Sequence, residues 1–82
     1  MDKKEITIVG ALIWPLKVGS RAKILERDGA RDTSPVIAIG EEGFFSVKFE
    51  TENTMYTLLI DHDLDRDDNP DMRYYRSLME VS

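Results

Sequence analysis

Alternation of apolar and polar side chains with a period of two is the feature that most limits how this chain can fold. It is clearest over residues 45–50, where Phe45, Val47 and Phe49 alternate with polar neighbours. Successive side chains of a β-strand point to opposite faces, so this pattern predicts a strand with one buried face. The chain is therefore expected to be mainly β.

A second strand is predicted at residues 54–60, which are rich in β-forming side chains. Tyr56, Leu58 and Ile60 would lie on one face of that strand. Only Thr51-Glu52-Asn53 separates it from the strand before it, and asparagine tolerates the positive φ of tight turns. These two strands are expected to pair as a hairpin.

Three further strands are predicted, at residues 5–9, 21–26 and 36–39. Ser34-Pro35 opens the last of them, and the turn at residues 40–43 leads to a second hairpin. Asp28-Gly29 marks a turn before the polar stretch 31–33, and Pro15 and Gly19 bracket a bend. Four or five short strands in so small a chain indicate a small barrel or a strongly bent antiparallel sheet, because closure hides strand edges.

The tail, residues 70–81, has two interpretations. Asn69-Pro70-Asp71 is typical of a helix start, with asparagine as the N-cap and proline at the first helical position. A helix would place on one face Met72, Tyr75 and Met79. A strand would align Tyr75, Ser77, Met79 and Val81. The helix is favoured, and the strand remains the alternative.

Three segments, residues 16–24, 34–39 and 45–49, together resemble the opening strands of SH3-like small barrels. The resemblance covers about half of the chain, and the chain also resembles short proteins carried by bacterial phages and mobile elements. SH3-like barrels serve as peptide binders, nucleic-acid binders and structural parts. The resemblance therefore implies a fold and leaves the function open.

Composition excludes several classes of protein. The 82 residues contain no cysteine, which excludes disulfide scaffolds, thiolate zinc sites and cysteine nucleophiles. Residues 1–82 are expected to form one domain that buries only about 60% of the surface of the unfolded chain, so a partner or a second copy would add stability. The apolar run 6–16 is shorter than the ~18 residues of a membrane span. A cytoplasmic protein without a membrane segment is expected.

Acidic charge is concentrated in residues 61–71, where six aspartates stand against Arg66. The alternating aspartates resemble a calcium-binding loop, but Arg66 occupies the position of the essential glycine and Met72 that of the bidentate glutamate. Weak attraction of divalent cations and an acidic loop that faces a partner remain the alternatives. No resident metal or cofactor is expected.

No catalytic motif accompanies the single histidine, His62, which lies between Asp61 and Asp63. The serines lack the sequence context of a nucleophile elbow, and Glu41-Glu42 lie in a predicted turn. The sequence therefore predicts a binding protein and not an enzyme.

The preferred hypothesis is an inhibitor or adaptor that presents carboxylates to a basic groove on a bacterial protein that handles nucleic acid. Anti-CRISPR proteins are one such class. The predicted contact residues are Asp61, Asp63, Asp65, Asp67 and Asp68, with apolar contacts from Trp14 and Phe44. The alternative is nucleic-acid binding by a basic strand face that contains Arg21, Lys23, Arg27 and Arg31.

Overall fold

The computed structural model describes residues 3–80, which form an open mixed sheet and one C-terminal helix; the side chains of Met79 and Glu80 are not described. Six strands are present in this part of the chain: β1 (Lys4–Leu12), β2 (Arg21–Glu26), β3 (Gly29–Pro35), β4 (Ala38–Glu42), β5 (Ser46–Glu50) and β6 (Thr54–Ile60). Helix α1 spans Pro70–Glu80. The prediction of a mainly β chain with a helical tail is confirmed. Two of the residues used in the helix and strand interpretations of the tail cannot be compared, because the Met79 side chain and Val81 lie outside the described part of the chain.

The strand order is β3-β2-β1-β6-β5-β4, with β1 and β6 parallel and every other neighbouring pair antiparallel. Strands β3 and β4 do not pair with each other, so the sheet is not closed. The expected small barrel is not confirmed. The expected antiparallel sheet of four to five strands was wrong in strand number and in the parallel pair at its centre.

Both predicted hairpins are confirmed. Strand β5 pairs with β6 in the register Phe49↔Tyr56, and β4 pairs with β5 in the register Ile39↔Phe49. Thr51 closes the β5–β6 turn by donating its N–H to the Thr54 carbonyl oxygen at 2.9 Å. Within residues 3–80 only glycines have positive φ, so Asn53 does not use the left-handed conformation on which the turn prediction relied.

Four local predictions were wrong. The turn predicted at residues 40–43 lies further along the chain, because β4 continues to Glu42. The polar stretch 31–33 belongs to strand β3, in which only Thr33 is buried, because an edge strand exposed to solvent accepts polar side chains. Val36 and Ile37 join β3 to β4 and do not open a strand, since Val36 bonds to Ser20 and Ile37 to Glu50. Phe45 is exposed because β5 begins one residue after it.

Apolar side chains form two clusters on opposite faces of β1 and β2. The inner cluster contains Ile8, Ala22, Ile24, Val36, Val47, Phe49 and Leu58. The helix-side cluster contains Ala11, Ile13, Leu25 and Met72, with Trp14, Leu64 and Tyr75 packed against it. Helix α1 is thus held to the outer face of β1 and β2 by Met72, which is fully buried.

Asn69 caps helix α1 as predicted. Its Oδ1 accepts a hydrogen bond from the N–H of Asp71 at 3.0 Å, and its Nδ2 donates to the Leu64 carbonyl oxygen at 2.9 Å. The cap therefore fixes the helix start against the preceding loop. With 11 residues, α1 is too short to cross a bilayer, and the described residues contain no other helix.

Candidate protein-binding surface

The acidic segment forms an ordered loop over residues 61–69, and its last two predicted residues are the first of helix α1. Asp61 is its anchor. The Asp61 N–H donates to the Gly10 carbonyl oxygen at 2.8 Å, and Asp61 Oδ1 accepts from the Asp63 N–H at 3.0 Å. The loop start is therefore attached to the end of the β1–β6 pair.

Every aspartate predicted to contact a partner has an arginine of this chain within ion-pair distance. Arg27 is 2.8 Å from Asp61 and 3.8 Å from Asp63. Arg76 is 3.2 Å from Asp65 and 3.3 Å from Asp67, and Arg66 bonds Asp68 through Nε and Nη2 at 3.0 and 2.9 Å. Three arginines thus offset part of the charge of five aspartates.

Arg76 also bonds the backbone at the end of β1. Its Nε donates to the Ile13 carbonyl oxygen at 2.7 Å, and its Nη2 donates to that of Leu12 at 3.2 Å. One guanidinium therefore joins the helix, the loop and the central strand. Asp61 and Asp65 each form an ion pair with an arginine and are partly buried. They therefore have structural roles, which their spacing in the sequence does not reveal.

Three aspartates remain largely open to solvent. The side chains of Asp63 and Asp68 are 84% and 70% exposed, and that of Asp67 is fully exposed. Surface ion pairs of this kind contribute little stability and exchange readily for another cation. We call these three residues the acidic rim.

At the start of the loop lies a group of exposed aromatic rings that we call the aromatic surface: Phe44, Phe45 and His62, the last of which belongs to the loop. Phe44 stacks on His62 with ring centroids 4.3 Å apart, and Phe45 meets Phe44 edge-on at 4.9 Å. Phe44 and Phe45 are 70% and 72% exposed. Of these three residues only Phe44 was a predicted contact. Phe45 and His62 were not, because no spacing rule relates residues 44 and 62.

Trp14 is not brought to this surface. It is half-buried against the helix-side cluster, and Lys23 Nζ lies 6.0 Å from the centre of its ring. Among the described residues Phe44 has aromatic contacts only with Phe45 and His62. Trp14 therefore takes part in attaching the helix.

The predicted basic face is largely offset by acids of the same chain. Lys23 lies 3.4 Å from Asp32, Arg27 pairs with the acidic loop, and Arg31 lies 2.6 Å from Glu26. The hydrogen bond and the charge of Glu26 raise the pKa of Arg31, so the Arg31 guanidinium stays charged. Arg21 donates to the Thr33 carbonyl oxygen at 3.1 Å.

Within residues 3–80 no group of three or more histidine, aspartate or glutamate side chains has the arrangement of a metal site. The acidic loop turns its carboxylates toward three arginines and does not converge them on one point. Its chemistry is that of charge-assisted hydrogen bonding to cationic side chains.

Comparison with known proteins yields no matching family model, no matching curated protein and no matching solved structure.

Proposed function

We propose that this chain is a non-catalytic protein-binding module that contacts its partner through the aromatic surface and the acidic rim. The observation that carries the proposal is the exposure of Phe44 and Phe45, 70% and 72%, next to the loop that holds the rim. Aromatic side chains are enriched at the energetic centre of protein interfaces. Here they are already ordered by stacking on His62, which lowers the entropy cost of binding.

The acidic rim indicates the chemistry of the partner. Asp63, Asp67 and Asp68 would attract a surface rich in lysine and arginine and accept charge-assisted hydrogen bonds from it. Exchange of the arginines of this chain for those of the partner would keep a cation beside each of these three carboxylates. The proposed partner is a basic protein, such as a bacterial protein that handles nucleic acid.

The resemblance to phage and mobile-element proteins makes an inhibitor of the anti-CRISPR kind the specific form of this proposal. Acidic side chains spaced along a loop imitate a phosphate backbone and so compete with nucleic acid for a basic groove. Direct binding of nucleic acid has weaker support, because Lys23, Arg27 and Arg31 already face acids of this chain.

The test is affinity capture from a bacterial lysate with three purified variants beside the parent. One carries Phe44→Ser and Phe45→Ser, and a second replaces the acidic rim by asparagine. The third, Tyr74→Ser, is the matched control, since Tyr74 is 60% exposed but lies on helix α1. Asp61 and Asp65 are left intact because their carboxylates hold the loop.

The captured protein is expected to be basic, to be lost with the phenylalanine variant and to be kept by Tyr74→Ser. The rim variant should associate more slowly at low salt and approach the parent as salt screens the charges over a Debye length of about 10 Å at ~0.1 M. Equal capture by the parent and the phenylalanine variant would refute the aromatic surface as the contact.

A further inference from the structure

Half of strand β1 has a free backbone edge. The Lys4 N–H donates to the Asn53 carbonyl oxygen and the Gly10 carbonyl oxygen accepts from Asp61, so even-numbered residues of β1 face β6. Neighbouring residues of a strand direct their backbone groups to opposite sides. Those of Glu5, Thr7 and Val9 therefore point away from β6.

Strand β2 does not cover this edge. It pairs with β1 only at Ala11↔Leu25 and Leu12↔Ile24, and then turns away through the β2–β3 hairpin. The ladder with β6 uses the backbone groups of even-numbered residues, and the ladder with β2 includes only Ala11 and Leu12. Outside these ladders, Glu5, Thr7 and Val9 make no backbone–backbone hydrogen bond within residues 3–80. The side chains of all three are exposed.

The outer sheet edges carry backbone features that oppose strand addition, and the free part of β1 does not. Strand β3 contains Pro35 and a register shift, and β4 contains a register shift. Such features are how natural sheets prevent unwanted pairing. Between Lys4 and Val9 the edge of β1 has no proline, glycine or bulge.

A groove of about 370 Å³ runs along the free edge. One wall is β1, at residues 7–9, and the other is the β2–β3 hairpin, with Glu26, Arg27, Asp28 and Arg31. The charges of the two acids and the two arginines cancel, so this wall does not favour a strongly charged ligand. Val9, on the β1 wall, and its register partner Leu59 on β6 are 54% and 42% exposed and offer an apolar contact.

We propose that this groove binds an extended peptide segment of a partner protein, which adds as a strand to the free edge of β1. Main-chain hydrogen bonds from Glu5, Thr7 and Val9 would hold the peptide, as in other cases of strand addition. The peptide residue opposite Val9 is expected to be apolar, because it would contact the exposed Val9 side chain. The site is separate from the aromatic surface and does not depend on it.

A second copy of the chain fits the groove less well. In a second copy, the β2–β3 hairpin would lie along the same β1 edge that has to pair, and would obstruct the pairing. A single extended segment has no such attachment and can enter between the two walls. The proposed occupant is therefore a free segment, and sedimentation velocity of the parent protein is expected to show a monomer.

The probe is a short synthetic peptide of alternating threonine and valine, with lysine at one end and glutamate at the other. Amide hydrogen exchange of the parent protein is followed by NMR with and without this peptide. The amides of Glu5, Thr7 and Val9 are expected to exchange rapidly alone and to become protected on binding. Those of Ile6 and Ile8 should be protected in both states, and a peptide with a central proline should have no effect.

The decisive variant is Thr7→Pro, because the Thr7 N–H faces the free edge and its loss removes no bond to β6. Thr7→Val is the matched control, since it keeps the N–H. Thr7→Pro should weaken peptide binding about tenfold or more, the loss of one hydrogen bond, and Thr7→Val should not. If Thr7→Pro does not fold, the exchange pattern of the parent protein decides alone.

Three results would overturn the proposal: no protection at residues 5, 7 and 9, protection at β3 or β4 instead, or unchanged binding by folded Thr7→Pro. A parent dimer that Thr7→Pro converts to a monomer would make the occupant a second copy and also overturn it. Peptide binding should persist in the Phe44→Ser and Phe45→Ser variant. That result separates this site from the aromatic surface, so either proposal can fail without the other.

Discussion

Arg76 of helix α1 donates a hydrogen bond from Nε to the carbonyl oxygen of Ile13 at 2.7 Å. The two residues are 63 positions apart, and the bond joins the last element of the fold to the end of the first. The same guanidinium reaches Asp65 and Asp67. Arg76 is thus the point at which the acidic loop, the helix and β1 depend on one another.

Replacement of Arg76 by alanine is expected to lower the free energy of unfolding by about 2 kcal/mol. It removes charge-assisted bonds to the Leu12 and Ile13 carbonyl oxygens and deprives Asp65 and Asp67 of the cation that each contacts. Urea denaturation measures the loss. Arg73→Ala is the control, because Arg73 is exposed on the same helix and has no ion pair with any side chain that the structure describes; its change should stay within about 0.5 kcal/mol. Equal losses in both variants would contradict a specific role for Arg76.

Met72 fills the helix-side cluster and is fully buried. Met72→Ala should cost about 3 kcal/mol, since it removes the transfer free energy of the side chain and leaves a cavity. Trp14 packs against the same cluster, so its fluorescence should change in the variant. Tyr74→Ala, on the exposed side of the helix, should leave both stability and fluorescence near those of the parent. An unchanged urea midpoint for Met72→Ala would show that the helix is not needed to hold the sheet.

Local patterns in the sequence were enough to predict β5, β6 and the helix start at Asn69. In each case the structure depends on residues that are close in the sequence. Alternation of apolar and polar residues predicts that Val47 and Phe49 are buried, and an asparagine before a proline predicts a helix cap. Strand β3 was missed because its outer face is polar and only Thr33 is buried. An edge strand needs few apolar residues, so its sequence resembles a loop.

The candidate site could be predicted only in part for a related reason. The aspartates of residues 61–68 are evident in the sequence, but their partners Arg27 and Arg76 come from distant elements. Stacking of Phe44 on His62 likewise depends on the β4–β5 turn lying beside the loop after β6. Such contacts depend on the order of the strands in the sheet. They could not be predicted, because the parallel β1–β6 pair was not predicted.

Gly10 lies where β1 passes from its pairing with β6 to its pairing with β2. A Cβ at this position would stand 2.4 Å from the Leu25 carbonyl oxygen, a backbone atom that cannot move without disturbing β2. Gly10→Ala is therefore expected to cost about 3 kcal/mol, at the upper end of overpacking effects. Gly43→Ala is the control, because its Cβ would lie an ordinary 3.5 Å from the Ser46 carbonyl oxygen. Thermal unfolding compares the two, and a Gly10→Ala protein as stable as the Gly43→Ala protein would refute the close approach.

Asn69 bonds in both directions, and two substitutions separate its roles. Asn69→Ala loses the cap on the Asp71 N–H and the bond to the Leu64 carbonyl oxygen, and should cost about 1 kcal/mol or more. Asn69→Asp keeps an oxygen for the cap and places negative charge at the helix N-terminus, where the dipole favours it, but it loses the donor to Leu64. Its stability should fall between those of the parent and Asn69→Ala.

Two further measurements separate the cap from the donor. Helicity should be kept in Asn69→Asp and reduced in Asn69→Ala, because only the former retains the cap. Protection of the loop amides from hydrogen exchange should be reduced in both variants, because both lose the donor to Leu64. Asn69→Asp with loop protection equal to that of the parent would show that the Leu64 bond does not hold the loop.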